Sequence, residues 1–293
     1  MKVLFIINPK SGTNARGTLE QLIAEQAALD DFTYVIHKMR SRDEEWAILQ
    51  DIDACSPDII ACAGGDGTVN LLARLLNGKS IPLAIIPTGS ANGMARELRI
   101  ENINTALKTL IHGRKKKIDL LSINGKICVH LADVGLNARI VKRFEHGTSR
   151  GLFTYARHLF SEVFLLRKYT FYITHDLQEV TFRAVSLTFA NASKYGTGAV
   201  INPTGKLDDG KFELVIVKPF PQRKLLSIVW KMFNGTLDTS EYVRVISCEK
   251  ALIYSNRRTV LQVDGEVIGK TKHIRIEMIH QALTVIMPEQ LKG

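Results

Sequence analysis

The chain has 293 residues, 45% of them hydrophobic and 23% charged, the composition of an ordinary folded protein and not of a disordered one. Lys and Arg number 39 against 29 Asp and Glu, a formal net charge of +10 that favours polyanionic partners: nucleic acid, an anionic membrane face or a phosphorylated substrate. No stretch approaches the ~18 uninterrupted apolar residues of a membrane span, and at roughly 150 residues per domain the length suits two domains.

Met1 to Ile7 holds one charge and a run of five apolar residues before Asn8-Pro9. A signal peptide needs an apolar region of at least ~7 residues and a small-residue cleavage site, so the expected location is cytoplasmic. Lys2 to Asn8 reads as a strand followed by a turn, and Thr18 to Leu29 carries apolar residues at helical spacing. Phe32 to His37 is a second strand, and Asp58 to Ala63 a third that runs straight into a glycine turn. Val69 to Leu76 returns to helical periodicity before a fourth short strand, Pro82 to Pro87. Strands alternating with helices predict an α/β domain with a parallel sheet covered on both faces.

The basic run Arg114-Lys115-Lys116-Lys117 reads as a solvated turn. Beyond about residue 120 the strand candidates follow one another: Lys126 to Leu131, Tyr169 to Thr174, Thr181 to Asn191, Phe212 to Lys218, Tyr242 to Ser247, Lys250 to Tyr254, Thr259 to Val263, His273 to Met278 and Ala282 to Met287. Turn residues punctuate them, as in an antiparallel sandwich or barrel. Helical stretches interrupt the series at Gly151 to Leu166 and Gln222 to Phe233. The predicted division is an α/β domain over residues 1–120 and an antiparallel β-sandwich over 121–287, with 288–293 free to return to the first domain. Cys55, Cys62, Cys128 and Cys248 form no CxxC pair and have no accompanying His cluster. Neither a zinc site nor a disulfide framework is expected of them; they read as small buried hydrophobes.

Three turns of the first domain sit where parallel α/β sheets bind ligands, beyond the carboxyl ends of strands. They are Asn8-Pro9-Lys10-Ser11-Gly12, Gly64-Gly65-Asp66-Gly67-Thr68 and Pro87-Thr88-Gly89-Ser90-Ala91-Asn92-Gly93. Glycines permit close backbone approach, successive N–H groups form a concavity for anions, and the following helix offers its N-terminus to phosphate. Any one of these turns reads equally well as a tight connection; three at corresponding strand ends point to a ligand. There is no GxxxxGK[ST] and no GxGxxG with a distal acid, which excludes a Walker site and the Rossmann mode of dinucleotide binding.

Asn-Pro-x-Ser-Gly, Gly-Gly-Asp-Gly-Thr-x-Asn and Gly-Ser-x-Asn, in this order, resemble the diacylglycerol kinase catalytic-domain family, in particular its soluble bacterial lipid kinases, with sphingosine kinases as more distant relatives. The resemblance extends through Asn191-Ala192-Ser193, Gly205 to Gly210 and Val263-Asp264-Gly265-Glu266. It implies an NAD-kinase-like first domain that binds ATP through Asn8, Pro9, Lys10, Ser11, Gly12, Gly65, Asp66, Gly67, Thr68, Val69, Asn70, Leu71 and Ser90. It makes Glu266 the general base, matches Asp66 and Asp119 to acids associated with the catalytic Mg2+, and matches Lys206, Asp209 and Lys211 to a second, structural magnesium site. Asp66 is the alternative proton acceptor, as its counterpart often is in sphingosine kinases.

Without the resemblance, Asp264-Gly265-Glu266 would read as a hairpin turn with a solvated Glu, and Asp208-Asp209-Gly210 as a plain turn. This sequence also departs from its relatives: Gly93 replaces a common Asp, Leu71 a common Glu and His130 a common Asn. The implied activity is transfer of phosphate from ATP to a hydroxyl of a diacylglycerol-like or sphingoid-like lipid, within phospholipid metabolism. A soluble NAD kinase and a catalytically inactive lipid- or nucleotide-binding regulator remain as alternatives. The expected partners are a membrane lipid substrate and an anionic membrane surface, met peripherally by the segment Phe153 to Leu166 and its basic flanks, with no nucleic acid. A homodimer is left open.

Overall fold

The computed structural model describes residues 1–11, 16–41, 44–135, 167–195 and 198–289. Gly12 and the helix expected at Gly151 to Leu166 lie outside them, as does the membrane-contact segment within it. The chain divides into two compact units. The first holds residues 1–118 and takes the chain back at Gln281, earlier than the 288 read from sequence; the second is Asp119–His280.

In the first unit the elements run β1 (Lys2–Ile7), α1 (Arg16–Leu29), β2 (Thr33–Lys38), α2 (Glu45–Cys55), β3 (Ile59–Gly64), α3 (Asp66–Leu76), β4 (Leu83–Pro87), α4 (Gly93–Glu97) and α5 (Ile103–His112). The strands pair in parallel in the order β4-β3-β1-β2, with Phe5 opposite Ala61 on one side and Ile36 on the other. Every residue of β3 is buried, as a central parallel strand covered on both faces must be, whereas β2 is an edge whose residues are exposed or half-buried. Val3, Leu4, Phe5 and Ile6 are fully buried, and Ile48 and Ile52 of α2 pack one helical turn apart. The helix α5 starts at Asn102, whose side chain accepts from the Thr105 N–H at 2.9 Å, a capping contact. Neither α2 nor α5 was anticipated from sequence.

The run Arg114–Lys117 is not a turn. It opens β5 (Arg114–Ile123), whose outer half is mostly exposed and whose inner half is buried. In the second unit follow β6 (Lys126–Cys128), β7 (Leu131–Gly135), β8 (Tyr169–His175), β9 (Gln178–Ala184), β10 (Ser186–Ala190), β11 (Phe212–Val217), α6 (Leu225–Phe233), β12 (Val243–Cys248), β13 (Lys250–Val263) and β14 (Glu266–Met287). The pairings are antiparallel, in the order β12-β11-β10-β7-β13, and β13 also pairs with β8, which pairs with β9. Phe171, Phe189, Phe212, Leu214 and Ile276 centre its core, and Leu225 and Ile228 of α6 join a smaller cluster with Phe220 and Val243.

Several strands have different limits from the sequence reading. Thr181 to Asn191 is split at Val185 into β9 and β10, while Lys250 to Val263 is one strand with a register irregularity between Tyr254 and Thr259. His273 to Met287 belongs to one strand that begins at Glu266. The candidate Lys126 to Leu131 breaks between β6 and β7, because a carboxylate takes the N–H groups that a sheet ladder would need, as shown next.

Candidate active site

In the first unit the three glycine turns are fastened to one another by short polar contacts. Asn8, just past β1, donates its backbone N–H to the Ala63 carbonyl at 2.9 Å and its Nδ2 to Thr68 Oγ1 at 3.0 Å. This ties the first turn to the second. Ser11 Oγ lies 2.7 Å from the Asn8 carbonyl and 3.1 Å from Thr88 Oγ1, which ties the first turn to the third. The second and third turns touch backbone to backbone: a Cβ on Gly89 would stand 2.5 Å from Gly65 Cα, a distance no side chain tolerates. Asn92 adopts a left-handed conformation and closes the third turn by exchanging two side-chain hydrogen bonds with the Gly89 backbone.

Asp66 completes this frame. Its Oδ2 accepts from the Gly93 N–H at 3.0 Å and its Oδ1 from the Met94 N–H at 3.1 Å, so the carboxylate spans the second and third turns. At the Gly93 position, where relatives often have an acid, the chain offers a buried backbone N–H to Asp66. Asp66 also opens α3, whose N-cap Gly65 is extended and makes no side-chain cap. First-turn N–H groups left uncapped beside a helix dipole suit a phosphate. The fit to ATP rests on this cradle.

Each residue implied for the nucleotide, Gly12 apart, has a place here. Lys10, Gly67 and Ser90 are exposed, Asn8, Pro9, Ser11, Gly65 and Asn70 are half-buried, and Thr68 is buried. Val69 and Leu71 point into the core, so only their backbone can serve a ligand. Leu71, which stands where relatives have Glu, is therefore a packing residue. Thr88, read from sequence as part of the third turn and given no role of its own, is the hydroxyl that joins that turn to the first.

The residues implied for the second unit gather around two carboxylates. Asp119 is fully buried. Its backbone N–H donates to the Leu207 carbonyl at 2.6 Å, its Oδ2 accepts from the Gly210 N–H at 2.7 Å, and its Oδ1 lies 2.8 Å from His280 Nδ1. The segment 206–211 thus wraps around Asp119, which fastens it. Asp209 on its outer side is exposed and accepts from the Lys211 N–H at 3.1 Å. The exposed Asp209 carboxylate is a hard oxygen donor of the kind magnesium takes, and it is the one group of Lys206, Asp209 and Lys211 whose chemistry speaks for that ion.

The second carboxylate is Asp264, and its role was not foreseen. It accepts from the Val129 N–H at 2.8 Å, the His130 N–H at 2.9 Å and the Leu131 N–H at 3.1 Å, and the Cys128 thiol approaches at 3.3 Å. Burial, followed by the charge of Asp264, holds that thiol protonated, well above its ordinary range. Asp264 and Gly265 form the left-handed turn between β13 and β14. The Gly265 N–H donates to Gln262 Oε1 at 2.7 Å, and Gln262 Nε2 in turn donates to the buried Asp133 at 2.6 Å. Glu266, the next residue, is exposed at the start of β14 on a turn anchored from both sides. The Asp-Gly pair marks the turn in sequence, but nothing local marks its partners more than 130 residues away.

Comparison with known proteins agrees with this layout. Residues 2–123 match the diacylglycerol kinase catalytic domain, and residues 131–287 match the YegS C-terminal NAD kinase beta sandwich-like domain. An uncharacterized protein of Synechocystis sp. is 26% identical over 275 residues, which is 90% of this chain and 61% of that protein. A diacylglycerol kinase of Mycobacterium tuberculosis is 29% identical over 191 residues, 61% of this chain and 60% of the other. The chain thus spans about three fifths of the length of these two curated relatives. The crystal structure of a diacylglycerol kinase from Bacillus anthracis strain Sterne superposes with a TM-score of 0.76 at 21% identity, covering 98% of this chain and 97% of that one. The N-terminal α/β and C-terminal antiparallel sandwich architecture is that of this fold.

If Asp264 is the anchor described, Asp264→Ala leaves buried N–H groups of residues 129–131 unpaired, each at about 1–3 kcal/mol. Urea unfolding is expected to show a loss of at least that size. A midpoint equal to that of the unaltered chain would show that the turn does not depend on this carboxylate.

Proposed function

The chain belongs to the diacylglycerol kinase catalytic-domain family, and from that premise we propose that it is an ATP- and Mg2+-dependent lipid kinase. It transfers the γ-phosphoryl group to a hydroxyl of a diacylglycerol-like or sphingoid-like lipid. The observation that carries this reading is the frame of three interlocked turns around Asp66, which leaves the α3 N-terminus uncapped for phosphate. The frame itself does not need an acid at position 93, because the group that Asp66 holds there is a backbone N–H, present whatever the side chain.

In the first unit the turn backbones hold the triphosphate, and Asp66 keeps the second and third turns in register. In the second unit Asp264 holds the turn that carries Glu266. Glu266 accepts the proton of the lipid hydroxyl as its oxygen bonds to the γ-phosphorus and ADP departs. Asp66 is the acid that would hold Mg2+ here, and the ion would supply neutralisation of the phosphate charge. Lys206, Asp209 and Lys211 would hold a second Mg2+, which would steady the loop that wraps Asp119.

No helix among the described residues is long and apolar enough to cross a membrane, and the reading has the lipid met at the membrane surface. The helix α6 supports this. It buries Leu225 and Ile228, while Leu226, Trp230 and Phe233, one and two turns apart on its other side, are 69%, 66% and 51% exposed. Arg223, Lys224 and Lys231 flank that apolar stripe. Apolar side chains inserted between cations are the pattern of a helix lying in an anionic membrane surface. The protein acts as a cytoplasmic enzyme attached peripherally in this way.

The test is label transfer from magnesium-ATP carrying a labelled γ-phosphate, in mixed micelles of diacylglycerol, monoacylglycerol, sphingosine and ceramide, with NAD as the soluble control. Label is expected in the organic phase, and Glu266→Gln is expected to lower the rate by about 100-fold or more, the usual scale for a lost general base. Label on NAD alone would make the chain an NAD kinase; none at all, with ATP still bound, would make it a regulator. In a Trp46→Phe background, Trp230 emission is expected to shift blue with anionic vesicles and not with zwitterionic ones. No shift with either would remove α6 from membrane contact.

A further inference from the structure

Where β8 turns into β9, and β12 into β13, three side chains of different chemistry converge. His175 is the last residue of β8 and Asp176 the first residue of the turn, held in a left-handed conformation by the pairing of His175 with Gln178. Cys248 is the last residue of β12. One ligand atom from each, an imidazole nitrogen, a carboxylate oxygen and the sulfur, all lie within 4.8 Å of one another.

Two of the three are buried, His175 at 8% exposure and Cys248 at 1%. The Nδ1 atom of His175 is buried and bonds no hydrogen-bond partner among the described residues. A buried imidazole nitrogen left unpaired is costly, and in folded proteins such an atom nearly always has a partner. The sulfur faces a related problem. It is buried, with the Asp176 carboxylate and the His175 ring each placing a ligand atom within 4.8 Å of it. A cation bound by all three ligands satisfies the imidazole, replaces the thiol proton and balances the carboxylate.

We infer that His175, Asp176 and Cys248 form a binding site for a thiophilic divalent cation, zinc foremost. Sulfur, imidazole and carboxylate together are the ligands zinc takes and magnesium does not. Ligand atoms about 2.0–2.3 Å from one zinc stand no more than about 4.6 Å apart, and the exposed Asp176 side chain supplies the small adjustment needed. Three protein ligands leave the fourth tetrahedral position to water. The ion ties the β8–β9 hairpin to the β12–β13 turn, where the Glu249 N–H already leans on Asp176 Oδ1 at 3.4 Å. It contradicts the expectation that the cysteines have no metal partner: the ligands are 72 and 73 residues apart in sequence and show no spacing motif.

Because the inference does not rest on the kinase reading, its test uses no kinase readout. Untagged full-length protein, stripped with chelator and held in excess Mg2+, is titrated with Co2+ as a spectroscopic substitute for zinc. One equivalent is expected to bind, to produce a thiolate-to-cobalt charge-transfer band, and to raise Tm. Cys248→Ser is expected to abolish the band. Asp176→Asn, on an exposed side chain that the fold tolerates, is expected to weaken binding at least about tenfold, the scale that even outer-shell partners reach. If Cys248→Ser does not fold, Asp176→Asn and His175→Gln decide. No band in the unaltered protein, or binding indifferent to these substitutions, would overturn the site.

Discussion

A carboxylate that accepts backbone N–H groups from a distant loop is the interaction on which both halves of this protein depend. Asp66 holds the Gly93 and Met94 N–H groups, Asp119 that of Gly210, and Asp264 those of Val129, His130 and Leu131. Charge-assisted bonds of this kind are roughly twice as strong as neutral ones. They fix loops that a sheet ladder cannot reach. In the first unit the loop so fixed is the third glycine turn; in the second it is the turn that carries Glu266. Function is built on loops whose geometry is set by acids that a motif search would assign to chemistry alone.

Much of the first unit was legible in the chain because central parallel strands are buried on both faces and read as unbroken apolar runs. Val3 to Ile6 and Ile59 to Ala63 are such runs, and each ends in a turn that its glycines betray. The helices α2 and α5 were not legible. Ile48 and Ile52 are the buried residues of α2, but Trp46, Ala47 and Leu49 beside them are apolar too, so no single face stands out in the sequence. In the second unit the register irregularity of β13 made one strand look like two, and the mostly exposed first half of β14 hid its length.

The site residues were legible as a set and not in their roles. The glycine turns announced a cradle, but that Asp66 would bridge two of them follows from contacts across 27 and 28 residues. Leu71 and Gly93 looked like losses from a metal network. In the fold Leu71 is core packing, and the Gly93 N–H that Asp66 accepts comes from the backbone, so the frame does not depend on either missing acid. His175, Asp176 and Cys248 carried no signal at all, since three ligands brought together by strand ends leave no spacing to read.

The most direct test of the Asp66 frame is the affinity of the first unit's ligand when the clamp is altered. Calorimetric titration of the unaltered chain and of Asp66→Asn with a non-hydrolysable magnesium-ATP analogue separates positioning from chemistry. The asparagine amide would turn a donor towards one of the two N–H groups. Losing a hydrogen bond to a charged group costs about 1.5–3 kcal/mol, so affinity is predicted to fall about tenfold or more. Unchanged affinity would contradict the account, and would leave Asp66 its magnesium role without a part in the frame.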